Sequence, residues 1–357
     1  MFTEKRHPQY LSRPTLDDYL SNGWYRMGQG IFTCHFLCFG ERIYSAIWLR
    51  LSLKDYTFRK SLRRVIKRNR HFRTVIGPAK LDKQKELLYQ RYRWYCFKGN
   101  ISTSLQESLQ DGGTSNIYNT YECCVYDGDK LVAVSFFDLG NKSIASILGM
   151  YDPDYAHYGL GFYTMLVEIQ YGQSQDFDYY YPGYIVPGYE RFDYKTRIGA
   201  VDFYNVGSGK WEAFQQLDRV GYPLTRMTDK LHAMKARLKK YGVSSQLYYY
   251  PLFETHLISY WEASYLKYPV FLWCQANDGS SDYLLLVYDL VQEKFILLQC
   301  TPFSDLPSFL EELFEEANND QPCFLEVLVV RNQIVSNYEE EELAQAITRL
   351  SRMRRLK

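Results

Sequence analysis

Between residues 30 and 56 apolar and polar positions alternate, a period of two that predicts paired β-strands. The period then changes. Over residues 58–70 the apolar positions Phe58, Leu62, Val65 and Ile66 share one face of a helix, and Arg63, Arg64, Lys67, Arg68 and Arg70 are left on the other. A second helix is predicted over 82–98, with Leu87, Leu88, Tyr92 and Tyr95 inward. Residues 121–152 read as three strands joined by Asp-Gly-Asp-Lys and Leu-Gly-Asn-Lys turns. Gly159 and Gly161 follow, then a helix over about 159–174 and a strand near 178–185.

The flanks are less regular. Residues 1–15 read as an unstructured lead, and Asp17, Asp18 and Tyr19 open a short helix that stops at Gly23. The stretch from Gly99 to Asn116 is a connector or lid. Past Trp211 the pattern predicts a mixed-charge helix in 213–242, strand pairs in 247–300 and an acidic helix over 305–317. It closes with a strand at 323–330 and an amphipathic helix over 338–356, whose acidic start and basic end suit the helix dipole. The whole is α+β: a basic N-terminal α/β region (1–100), a mixed-sheet core flanked by helices (117–211) and an additional C-terminal α+β domain (213–357).

Charge changes this picture. The net charge is only +1, but residues 1–100 hold 21 Lys+Arg against 7 Asp+Glu. The remaining residues hold 21 against 34, so the cations are gathered at one end. Such a half points to a polyanion, most often nucleic acid. The 34 tyrosines add rings that can stack on bases or line a polar cleft. The eight cysteines form no Cys-x-x-Cys pair, and the polar, charged start has no secretory character. Reduced thiols and a cytoplasmic location are therefore expected. No apolar run reaches the roughly 20 residues of a membrane span. His35, His71 and His157 lack metal-ligand spacing, so no metal is expected.

The order of meander strands, Gly-x-Gly, helix and strand matches the core of the GNAT acyltransferase fold, in which the helix mouth holds the coenzyme A pyrophosphate. The cation that such a loop carries is Ala156 here. A fuller match lies in Tyr151-Asp152-Pro153-Asp154, Gly159-Leu160-Gly161, Tyr181-Pro182-Gly183-Tyr184, Tyr194-Lys195 and Gly209-Lys210-Trp211. With Gly23-Trp24-Tyr25-Arg26, the basic run 61–69 and Leu88-Tyr89-Gln90-Arg91-Tyr92, this ordered set resembles the arginyl-tRNA–protein transferases over about residues 16–211. The sequence departs from the family's pattern in having Tyr158-Gly159 where Arg-Ser precedes Leu-Gly, Tyr-Pro-Gly-Tyr for Tyr-Leu-Gly-Tyr, and no cysteine before Gly23-Trp24.

The resemblance implies transfer of arginine, or leucine as in a bacterial branch, from charged tRNA to the α-amine of an acceptor protein beginning with Asp or Glu, which makes an N-degron. It implies aminoacyl-tRNA as co-substrate and no other cofactor. An iron–sulfur cluster is not expected, because Cys34 and Cys38 supply two thiolates where about four ligands are usual. Since the ester is already activated, the enzyme has to align amine and ester, move a proton and stabilise an oxyanion. Asp152 or Asp154 would take the amine proton or hold the ammonium group, or else cap a helix. Lys195 would stabilise the oxyanion, bind the tRNA end or pair with an acceptor carboxylate. Trp24, Tyr151, Gly159, Gly161, Tyr181, Tyr184 and Tyr194 would shape the aminoacyl pocket, and Arg26 or Arg91 would meet the acidic acceptor. Arg63, Arg64, Lys67, Arg68 and Arg70 would grip tRNA phosphates. Two alternatives remain open: a coenzyme A-dependent N-acyltransferase, and a non-catalytic protein that binds tRNA or N-degrons.

Overall fold

The computed structural model describes residues 3–39, 42–99, 101–258, 263–274, 282–303, 322–337 and 339–354. The chain opens with β1 (Thr3–Arg6), α1 (Arg13–Ser21), β2 (Tyr25–Met27) and β3 (Gly30–Cys34). These strands make a small antiparallel sheet in the order β1-β3-β2. The lead expected to be unstructured is thus partly a strand: β1 is only four residues, too short for its period to show, and it exists because β3 supplies its partner. α1 starts earlier than expected, at Arg13, because the Ser12 side chain accepts from the Thr15 amide.

A hairpin of β4 (Phe36–Phe39) and β5 (Arg42–Ser45) leads to β6 (Ile47–Ser52). Then come α2 (Lys60–Asn69), β7 (Arg73–Pro78), α3 (Lys83–Phe97), α4 (Leu105–Gln110), β8 (Thr120–Asp127), β9 (Lys130–Leu139) and β10 (Ser143–Tyr151). They are followed by α5 (Leu160–Ser174), β11 (Tyr179–Ile185), β12 (Val201–Asn205) and β13 (Lys210–Ala213). Eight of these strands form one sheet in the order β13-β12-β6-β11-β10-β9-β8-β7. β6 and β7 come from the basic N-terminal region, so this sheet draws strands from both sides of residue 100.

Side-chain alternation divides the sheet's two faces. On β8, Cys123 and Val125 join Leu160, Leu166 and Ile169 of α5, while Cys124 joins Leu88 and Tyr89 of α3. Each fully buried Leu or Ile contributes about 1.5–3 kcal/mol, and this pins α3 and α5 to opposite faces. α2 lies beside α5 through Leu62, Val65 and Ile66, as the period predicts. α3 is rotated from its expected pose: Leu88 and Tyr89 are buried, whereas Leu87 and Tyr95 are exposed. A helix with apolar residues on several faces does not announce which one meets the sheet.

The C-terminal region contains α6 (Pro223–Lys240), β14 (Ser245–Tyr249), α7 (Thr255–Ile258), β15 (Val270–Cys274), β16 (Tyr283–Asp289), β17 (Lys294–Pro302), β18 (Leu328–Asn337) and α8 (Glu340–Arg354). Its strands form an antiparallel sheet in sequence order. The strand expected at 323–330 begins at Leu328 instead, with Cys323 making a single bridge to Tyr249. The acidic helix expected at 305–317 lies outside the described residues. Phe253 packs edge-on against Phe36 at 6.2 Å, and one apolar cluster runs from α1 and β3 through α6 to α8.

Candidate active site

Within the eight-stranded sheet β10 and β11 are the parallel pair, and their pairing is brief. It runs from Ser143–Tyr179 to Ala145–Tyr181, and then the strands part. β10 bulges between Ser146 and Leu148. On β11, Pro182 has no amide hydrogen to donate, and Gly183 takes a left-handed conformation with φ +89°. The C-terminal ends of the two strands therefore diverge, and the candidate residues gather at those ends.

The first group follows β10. Asp152 is buried, and its Oδ1 accepts from the Asp154 amide at 3.2 Å, capping the 3-10 helix Pro153–Tyr158. Its Oδ2 accepts from Arg91 Nη1 of α3 and from Lys130 Nζ of β9, both at 2.9 Å. Burial pushes the Asp152 carboxyl up, but the hydrogen bonds from Lys130 and the Asp154 amide, with the charges of Arg91 and Lys130, win and hold it below the usual carboxylate range. Asp152 is therefore a held, ionised carboxylate that caps the helix, one of the roles the sequence allowed it. Asp154 is exposed and pairs with Arg91 Nη2 at 3.1 Å. Arg91 thus bridges a sealed carboxylate and an open one. Lys130 was missed by the sequence reading because it is remote along the chain, at the start of β9, and only the β9–β10 pairing brings it to Asp152.

The second group follows β11. Lys195 sits in the 3-10 segment Glu190–Ile198 and folds back so that Nζ donates to the Tyr184 carbonyl at 3.0 Å. The ammonium lies 5.0 Å from the Tyr184 ring and 5.1 Å from the Phe192 ring. A Cβ on Gly183 would stand 3.1 Å from Nζ, so the glycine is what lets the lysine approach. The stem is half-buried and the amine end is enclosed. Burial, with no carboxylate to offset it, lowers the amine to about 7. Phe192 and Gly183 complete a lysine box whose chemistry the Tyr-Lys motif alone did not reveal.

Tyr151 and Tyr194 lie between the two groups. Tyr151 meets Tyr92 at 5.2 Å, and the Cys96 thiol donates to its hydroxyl at 3.6 Å. Burial, then Cys96, push the Tyr151 phenol up to about 12, and burial takes Tyr184 to about 12 as well. Both hydroxyls are therefore donors at neutral pH. Tyr194 packs against Phe162 of α5 at 6.4 Å. Gly159 ends the 3-10 helix with φ +67° and begins α5, while Gly161 stacks beside Tyr151. Glu168, a lone charge in an apolar stretch of α5, is buried beneath the site. It accepts from Tyr180 at 2.7 Å and is pushed up to about 7, chiefly by burial.

Other sequence candidates go elsewhere. Arg26 is sealed: Nη1 meets Asp138 and Thr120 at 2.9 Å, Nε donates to the Gly28 carbonyl, and Nη2 donates to that of Leu109. Four of its five N–H groups are donated within the fold and its side chain is only 2% exposed, so it does not stand open to an acceptor beside the β10–β11 ends. A cavity of about 320 Å³ lies against this network and shares no lining residue with the β10–β11 ends. Tyr181 is buried between Tyr25 and Trp211 and forms core instead of pocket. Trp24 carries the Arg6 guanidinium 4.4 Å above its ring. The four cations of α2 and Arg70 at its C-cap are exposed, but not equivalent. Arg63 turns back to the Phe58 carbonyl at 2.8 Å. Arg68 donates to the His157 carbonyl and lies 5.6 Å over Tyr158, tying α2 to the site's 3-10 helix. Arg64, Lys67 and Arg70 face outward. Cys34 is buried on β3, its thiol bonded to the Phe36 carbonyl and pushed up to about 12 by burial. Among the described residues no cluster of three or more His, Cys, Asp or Glu is arranged to hold a metal ion. No described helix is long and apolar enough to cross a membrane.

Residues 84–205, which span both groups, match the model of the arginine-tRNA-protein transferase C-terminus. An aspartate/glutamate leucyltransferase of Campylobacter jejuni is 29% identical over 199 residues, covering 54% of this chain and 81% of that protein. Its counterpart in strain RM1221 is 30% identical over 186 residues, covering 50% of this chain and 75% of that protein. A solved GCN5-related glucosamine N-acetyltransferase region from a fungal enzyme has 13% identity and a TM-score of 0.29 over 54% of this chain and 22% of that one, too low to carry weight. The chain belongs to the aminoacyl-tRNA–protein transferase family.

Proposed function

We propose that this protein moves arginine or leucine from charged tRNA to the N-terminal α-amine of an acceptor beginning with Asp or Glu, making an N-degron in the cytoplasm. The observation that carries the site assignment is the Lys195 amine. It is enclosed, poised near 7 and set beyond the end of β11, in the 3-10 segment whose Arg191 donates to Cys96 of α3, the helix that bears Arg91. In the proposed reaction the neutral acceptor amine attacks the ester carbonyl carbon. A C–N bond forms, and the carbonyl becomes an oxyanion. Lys195 takes the proton that the amine sheds and returns it to the ribose oxygen as the C–O bond breaks. The Tyr151 and Tyr184 hydroxyls, protonated at neutral pH, are donors for the oxyanion. Arg91 receives the acceptor's side-chain carboxylate by exchanging exposed Asp154 for it, while buried Asp152 keeps the guanidinium in place. Arg64, Lys67 and Arg70 hold tRNA phosphates.

The meander β8–β10, the helix α5 and the strand β11 support reading the sheet as a GNAT-like core, with aminoacyl-tRNA as the co-substrate and no further cofactor. Ala156 supplies no cation for a coenzyme A pyrophosphate. The test is transfer of labelled arginine and labelled leucine from charged tRNA to peptides that differ only in the first residue. Product is expected for Asp and Glu starts and not for Ala. Salt-sensitive tRNA binding without product from either donor would overturn the transferase reading in favour of a binding protein.

A further inference from the structure

One side of α3 is open to water along its length. Leu87, Arg91, Trp94, Tyr95 and Lys98 recur at three- and four-residue spacing along one side, all exposed. Leu87, Trp94 and Tyr95 are 58%, 63% and 62% exposed. Rings this open are unusual beside a site, and Trp94 is also held. Gly99, at φ +87°, brings the chain under the indole, so a Cβ there would meet Trp94 Cζ3 at 3.2 Å. The Arg93 guanidinium stands 5.2 Å from the same ring and is itself fixed to the Gly99 and Ile101 carbonyls at 2.6 and 3.1 Å. The ring is therefore fixed in place while much of it stays open to water.

The stripe's charges are Arg91 and Lys98, and it carries no carboxylate of its own. Its neighbour Arg191 donates to the Cys96 carbonyl at 2.6 Å and stacks 3.7 Å from Phe97, adding a third cation. An aromatic surface bordered by cations suits single-stranded nucleic acid, whose bases stack and whose phosphates need neutralising. A partner protein bearing an acidic N-terminus would need the cations but not the rings. The stripe also leads into the site, since Arg91 holds Asp152 and the next residue after Tyr95 is Cys96, in contact with Tyr151.

We infer that Trp94 and Tyr95 form a stacking platform for the unpaired 3′ end of the tRNA, delivering its aminoacyl ester to the cleft while α2 holds the duplex. This inference rests on the tRNA reading above. Tyr181, a ring that the sequence offered for the aminoacyl pocket, is buried and unavailable.

The experiment compares two labelled RNA hairpins of acceptor-stem length, one with a four-nucleotide unpaired 3′ end and one blunt, by anisotropy with the full chain. The wild type is expected to bind the overhang hairpin roughly 5- to 150-fold more tightly, the range for one stacked base. W94A/Y95A is expected to lose that preference and keep its affinity for the blunt hairpin, and W94F/Y95F to retain the preference. Equal affinity of the wild type for both hairpins overturns the platform but leaves tRNA binding intact. Failure to bind either hairpin overturns both. An unchanged preference in W94A/Y95A, or a loss confined to binding of a peptide beginning with Asp, assigns the stripe to something other than RNA.

Discussion

Arg26 and Arg91 make the same contact, a guanidinium nitrogen 2.9 Å from an aspartate, with opposite consequences. The Arg26–Asp138 pair is sealed at both ends, with side chains 2% and 1% exposed. The Arg91–Asp152 pair is sealed at one end only: Asp152 is 1% exposed and Arg91 49%. A closed pair locks β2 and the α4 loop to the sheet, and its charges are consumed by the fold. A half-open pair uses its buried carboxylate to aim a cation that still faces water. The difference lies in what surrounds each pair, not in the residues themselves.

The largest expected effect breaks the closed pair. Arg26→Ala leaves Asp138 charged and buried without its partner, and should cost about 3–5 kcal/mol of stability in denaturant unfolding. A loss under about 1 kcal/mol would mean that Arg26 is not structural after all. Next is the lysine that works beside the open pair. Lys195→Met should cut transfer on the order of a hundredfold while leaving tRNA affinity unchanged. Its pH signature has a definite sign. The folded amine is lowered from 10.5 to about 7, so between those values the unfolded chain binds more protons and wild-type stability rises with pH. K195M should lack that rise, and the wild-type transfer rate should climb through about pH 7 as the amine becomes neutral.

Opening the half-open pair should cost less stability and more function. Arg91→Ala leaves Lys130 on Asp152 at 2.9 Å, so unfolding should shift by no more than about 1 kcal/mol. The KM for peptides beginning with Asp or Glu should rise roughly tenfold, about what one charge-assisted contact contributes. A large stability loss would place Arg91 with Arg26. The smallest effect sharpens the contrast. Asp154→Asn removes the open carboxylate that competes for Arg91, and should lower that KM by about two- to fivefold, the worth of an exposed pair. An increase would show that Asp154 itself binds the acceptor.

Much of this was legible in advance. The two-residue alternation marked β3 to β6, the basic amphipathic period marked α2, and the ordered motifs from Tyr151 to Lys195 marked the family and the ends of β10 and β11. What was not legible has a common cause. The pose of α3 depends on which of several apolar faces meets the sheet, so Leu87 and Tyr95 are exposed where inward packing was expected. Arg26 and Arg91 both stand in recognisable motifs, and only burial separates the spent cation from the available one. Tyr181 and Tyr184 are three residues apart on one strand, yet the first faces Trp211 in the core and the second Lys195.

By itself the sequence determined the family, the order of elements and the residue types at the site, because these depend on local periodicity and on spacing along the chain. Only the tertiary structure decided protonation and access. Lys195 is poised near 7 because Gly183 admits it to an enclosed box where, among the described residues, no anion offsets its burial. Asp152 stays charged because Lys130 and Arg91 arrive from two other elements. Charge state depends on solvent exclusion and on neighbours distant in sequence, and neither exists until the chain has folded.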